Sequence, residues 1–110
     1  MPLFNPPPPA TVVLPRATAV NRTTVAPPAE AALATAIVLA PANPNRQFIS
    51  LTNKSVGTVY VEYAAAPTAD IHAIALAPGG YFEVPNDPTV QIQGLWSATG
   101  GTGVNVREFI

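Results

Sequence analysis

The chain has 110 residues, 48% of them hydrophobic and only 10% charged, with a net charge of −1 and no cysteine. That length holds one modest domain with enough apolar residues for a core. The missing cysteines exclude disulfides, thiolate nucleophiles and zinc–thiolate sites together.

A typical soluble domain is about 25% charged, so much of this surface is expected to meet protein rather than water. The five cations (Arg16, Arg22, Arg46, Lys54 and Arg107) are far apart in sequence. Phosphate backbones and anionic lipid need clustered cations, so neither nucleic acid nor membrane is an expected partner. The start, MPLFNPPPP, has no basic n-region and no long apolar h-region, which reads as synthesis without a Sec-type signal. No stretch reaches the roughly 18 apolar residues of a membrane helix.

In chain order, residues 1–32 read as an extended proline-rich N-terminal arm. Eight of the fourteen prolines fall within the first 28 residues, and Pro6 to Pro9 are unbroken, which favours polyproline II. Neither helical periodicity nor a clear strand shows there, apart from the short run Thr11 to Leu14. Apolar residues are nonetheless dense for a linker. Ordering a floppy arm would cost about 1–2 kcal/mol per residue, and prolines reduce that cost by stiffening the free chain. The arm is therefore expected to dock on another surface, with Leu3, Phe4, Val12, Val13, Leu14, Val20 and Val25 as its interface residues.

Residues 33–110 read as a second unit. The segment Ala26 to Ala42 could open as a helix after Pro28. Ile37, Val38 and Leu39, closed by Pro41 and Pro44, instead favour a strand over Thr35–Ala40. Beyond Arg46 short strands and turns alternate: Gln47–Asn53, Thr58–Tyr63, Ile71–Leu76, Tyr81–Val84, Thr89–Trp96 and Val104–Phe109. The clearest alternation is TVYVEY, with Val59, Val61 and Tyr63 on one face. Pro78-Gly79-Gly80 and the stretch ATGGTG read as hairpin corners. Strands at this spacing indicate an all-β fold, a small antiparallel β-sandwich of jelly-roll-like type. A cysteine-free domain of about 75 residues is marginal alone, which points to a homo-oligomer.

Sites for chemistry are scarce. Asp70 and His72 would share a strand face, but no further ligands lie nearby in sequence, so they read as a solvated loop pair. GGTG lacks the Lys-Ser/Thr of a phosphate loop. The six acidic residues form no glycosidase motif, and the sequons at Asn21 and Asn53 read as chance matches. Trp96 shares a strand face with Val90, Ile92 and Gly94, so it reads as core or interface rather than as a sugar platform. No catalytic residue, cofactor or metal is expected, and the chain is not expected to be an enzyme.

The stretch ALATAIVLAPANPNRQFISLTNKS resembles a pattern of small virion proteins of tailed bacteriophages, in which an apolar strand runs into an NPNR turn. ALAPGGYFEVP is similar to that family's L-x-P-G hairpin and aromatic strand. GLWSATGGTGVNVREF is similar to its closing strands. The resemblance covers about residues 33 to 109 and not the arm. It implies a β-sandwich or jelly-roll module on a capsid, head fibre or tail, with no catalytic residues.

The leading expectation is a capsid decoration (cement) protein on the virion surface, made in the host cytoplasm. Its partner would be the major capsid protein, and its own assembly a homotrimer. The alternative is a fibre- or tail-associated module binding host glycan through Trp96, Tyr81 or Tyr60.

Overall fold

The computed structural model of the chain describes residues 19–110. Among these, eight strands and one short 3-10 turn occur: β1 (Val20–Val25), the turn Glu30–Ala32, β2 (Ile37–Ala40), β3 (Phe48–Ser55), β4 (Val59–Tyr63), β5 (Ile74–Leu76), β6 (Tyr81–Glu83), β7 (Ile92–Trp96) and β8 (Gly101–Phe109). They form two four-stranded antiparallel sheets, one ordered β1-β8-β3-β6 and the other β2-β7-β4-β5. The all-β sandwich expected from the strand spacing is therefore the fold.

Alternation builds the core. Leu39, Ile49, Leu51, Val59, Val61, Leu76, Ile92, Trp96, Val104 and Val106 are all buried, and they come from both sheets. Strand period two sends every second residue inward. Thus Ile49, Leu51 and Asn53 of β3 face the second sheet, while Phe48, Thr52 and Lys54 face out. Gly94 sits on the inner face of β7, where a Cβ would meet Leu39 at 2.9 Å and Val59 at 3.1 Å. The missing side chain lets the sheets close over that point.

Two expectations are corrected here. The first concerns residues 20–25, where no strand was expected. They form β1, which pairs with β8 over six residues from Val20↔Phe109 to Val25↔Val104. The sandwich thus starts ahead of the expected boundary at residue 33. β1 was hidden because its burial runs exposed along almost its whole length. With neither face covered, VNRTTV has no apolar alternation to read.

The second concerns the corners. LAPGGYFEVP and ATGGTG are not hairpins: β5 and β7 lie in one sheet, β6 and β8 in the other. The Pro78-Gly79 turn closes with Gly80 N–H donating to Ala77 O at 2.8 Å, and Gly79 has φ +79°. That positive φ after a proline is the type II pattern, which favours glycine. The turn carries the chain across the sandwich. The other turn crosses likewise, and at Gly103 (φ +115°) a Cβ would strike Val25 O. β4 to β5 is the one connection between described strands that stays within a sheet.

Candidate functional site

The interior polar groups are structural. Asn53 is fully buried. Its Nδ2 donates to Gly57 O at 2.9 Å and Leu76 O at 2.7 Å, while its Oδ1 accepts from Ser55 N at 2.9 Å and from Ser55 Oγ. Ser55 Oγ in turn accepts the Trp96 indole N–H at 3.0 Å. The Asn53 backbone also brackets the crossing turn, donating to Gly80 O and accepting from Gly79 N. Buried polar groups persist only when satisfied, and this network ties β3, β5 and β7 together. Trp96 is 2% exposed, so it cannot stack on a sugar. The alternative that assigned glycan binding to Trp96 is corrected.

Arg46 is also buried, against the ordinary rule for arginine. Its guanidinium donates to Pro88 O at 2.9 Å, Val90 O at 3.1 Å and Pro41 O at 2.5 Å. Its Nε lies 3.4 Å from Glu108 Oε2 but has no hydrogen-bond acceptor. Arg46 thus clamps one end of the sandwich, and its charge is unavailable to a ligand. Sequence reasoning treated it only as one of five scattered cations. The signal that could have found it is its place at the end of the NPNR turn, between two strands, in a chain with very few charges.

Asp70 and His72, read from the sequence as a solvated loop pair, lie in the loop ahead of β5. His72 Nδ1 lies 3.1 Å from Thr68 O, and its ring is tilted against Tyr60 with centroids 4.8 Å apart. Asp70 is exposed. Among the described residues no three His, Asp or Glu side chains gather as metal ligands would. Tyr60, the third glycan candidate, is on the second sheet, away from Tyr81 on the first.

A concavity of about 710 Å³ lies on the outer face of the β1-β8-β3-β6 sheet. Register arranges its floor in rows. One row runs Arg22–Arg107–Ser50–Glu83 across the four strands, and the next runs Thr24–Asn105–Thr52–Tyr81. Phe48 and Phe109 pack edge to face at one end, 5.2 Å between centroids, and Lys54 stands toward the other.

Thr24 Oγ1 donates to Asn105 Oδ1 at 3.0 Å, and Tyr81 OH to Glu83 Oε1 at 2.8 Å. The bond to Glu83 is the chief cause that holds the Tyr81 phenol above its ordinary pKa. Thus the cations Arg22, Lys54 and Arg107, remote in sequence, share one face. Arg46–Glu108 is the only ion pair among the described residues, so none of the three has a carboxylate within 4.0 Å.

Of the seven expected interface residues, Leu3, Phe4, Val12, Val13 and Leu14 lie outside the described residues. Val20 is 46% exposed at the start of β1, whereas Val25 packs against the core. The chain matches no family model, no curated protein and no solved structure.

Proposed function

We propose that this chain is a non-enzymatic structural protein of a virion: a capsid decoration protein that grips the shell through its proline-rich arm and a homo-oligomeric β-domain. The observation that carries this reading is the state of β1, the strand into which the arm leads. Ala19 and Ile110 exchange both backbone hydrogen bonds, so alternate residues from Ala19 to Val25 point their backbone groups at β8.

The amides and carbonyls of Val20, Arg22 and Thr24 then point the other way, where no further described strand lies. Soluble proteins usually blunt such an edge with proline, bulges or repeated charge. β1 has no proline, no recorded bulge and a single charge. An open, exposed edge is suited to strand addition by a partner, and the low overall charge suits a surface covered by protein. Many copies on one shell would then act by avidity.

The test uses undecorated particles and counts bound copies. Full-length protein should bind at high copy number. The Phe4→Ala/Leu14→Ala pair should weaken binding by about 3–6 kcal/mol per chain if both side chains are fully buried. Thr24→Pro removes an amide that points away from β8, so the sandwich should stay folded while edge docking fails. Full occupancy by both variants sinks the proposal. Copy number also separates the alternative, a glycan-recognition module on a fibre or tail. That reading keeps Tyr81 and predicts few copies per particle.

A further inference from the structure

We infer that the concave outer face of the β1-β8-β3-β6 sheet is a binding site for a carboxylated oligosaccharide, a chain of uronic-acid type, held between Arg22 and Arg107. This site is independent of whether the chain coats a shell. The first observation is electrostatic. Arg22 and Arg107 are directly opposite on neighbouring strands. The Ala19–Ile110 bonding pattern makes theirs a non-hydrogen-bonded pair, the closer kind, with Cα atoms about 4.5 Å apart.

Like charges so placed destabilise a sheet. Glu83, the carboxylate on the same face, is beyond Ser50 in that row and accepts a hydrogen bond from Tyr81. Lys54 adds a third cation to the face. Three of the four described cations therefore converge on one concavity without a paired carboxylate. An arginine fork matches a planar carboxylate in two parallel hydrogen bonds, and a ligand carboxylate between the two guanidiniums would relieve the repulsion.

The second observation is the chemistry of the remaining floor. Thr24, Thr52, Ser50 and Asn105 offer hydroxyls and an amide to the concavity, and Tyr81 offers an exposed ring at its margin. Hydroxyls and amides both donate and accept, which suits sugar hydroxyls, and an aromatic ring with a polar tip suits a sugar's apolar face.

A peptide strand is a poorer fit on this face. Backbone groups inside the sheet are consumed by the ladder, so only side chains are offered. Nucleic acid is poorer still, because three cations beside a glutamate release few counterions.

The experiment titrates the isotope-labelled full-length chain with a short galacturonic acid oligomer and follows backbone amide shifts. A neutral glucose oligomer of equal length, an oligoglutamate peptide and single-stranded DNA serve as comparators. Saturable binding by the uronate alone is expected, with shifts centred on Arg22, Thr52, Tyr81, Asn105 and Arg107.

Arg22→Gln and Arg107→Gln should each weaken that binding about tenfold or more, as loss of a charge-assisted pair does. Each should also hold or raise the melting temperature at low salt, because the repulsion is gone. Tyr81→Ala should weaken binding without changing its salt dependence. The inference is overturned by absence of saturable uronate binding, by equal binding of oligoglutamate or DNA, by shifts mapping elsewhere, or by unchanged affinity in both arginine variants.

Discussion

Replacing Asn53 by alanine tests the physical account of the sandwich most directly. The side chain makes four hydrogen bonds, and the residue is fully buried. Alanine would take their side-chain partner from the carbonyls of Gly57 and Leu76 and from the amide of Ser55. A buried polar group left unpaired costs about 1–3 kcal/mol. Three such groups, with the loosened Ser55–Trp96 contact, give an expected loss of at least about 3 kcal/mol.

Whole-domain stability is about 5–15 kcal/mol, so this one atom group carries a large share. For a domain of this size each kcal/mol moves the melting temperature by about 4–8 °C, and the drop should exceed about 12 °C. Urea unfolding followed by Trp96 fluorescence is the assay, with an unchanged slope confirming that the folded architecture is retained. Thr52→Ala, its outward-facing neighbour, is the control and should cost little. A loss below about 1 kcal/mol for Asn53→Ala would show that the network is ornamental and that burial of apolar faces alone holds the crossing turn.

Three further outcomes follow from the same geometry. Trp96, at 2% exposure and bonded to Ser55, should emit at short wavelength and resist iodide quenching in the full-length chain; ready quenching would contradict its placement. Arg46→Ala should cost about 3–5 kcal/mol by chemical unfolding, the range for breaking a buried pair, because three backbone carbonyls lose their donor and Glu108 loses its ion-pair partner. Glu108→Gln should cost less, since its side chain is 12% exposed.

Asp87 accepts bonds from the Thr89 hydroxyl and amide, which hold its carboxyl below the ordinary 3.8. A lowered folded pKa gives stability that is complete above the ordinary value and lost as pH falls through the folded one. Asp87→Asn should therefore flatten the acid side of the stability profile below pH about 4, and an unchanged acid slope would refute that role.

Sequence pattern was a good guide wherever one face of a strand is buried. TVYVEY alternates because Val59 and Val61 enter the core while Tyr60 and Glu62 do not. Trp96 was placed correctly for the same reason, sharing the inner face of β7 with Ile92. The turns were legible too, because proline and glycine impose their dihedrals locally.

What a turn cannot state is which sheet receives the next strand. That depends on partners such as β3 and β8, whose ladder joins Phe48 to Phe109 across most of the domain. Hence two corners were taken for hairpins that in fact cross between sheets. β1 was illegible because exposure removes the hydrophobic signal. The gathering of Arg22, Lys54 and Arg107 was illegible because register, rather than sequence distance, sets which side chains meet.

Register also couples the stability of this protein to its candidate site. In β8 the residues facing inward, Val104 and Val106, alternate with Asn105 and Arg107 facing out. A slip of one residue against β3 would turn the arginine into the core and the valines into solvent. Burial of Val104 and Val106 thus fixes the outward direction of Arg107, and the β1 pairing carries Arg22 to the same side.

The irregularity between Asn53 and Ser55 lies beside Lys54, and Asn53 itself clamps that stretch from within. At the same end of the sheet Gly103 admits Val25 O where any side chain would collide. The features that hold the register are therefore the buried network, the glycine contact and the valine rows, of which Val106 alone also reaches the lining of the concave face. The face can consequently keep an unfavourable arginine pair, because the energy that maintains its geometry is supplied from the other side of the same strands.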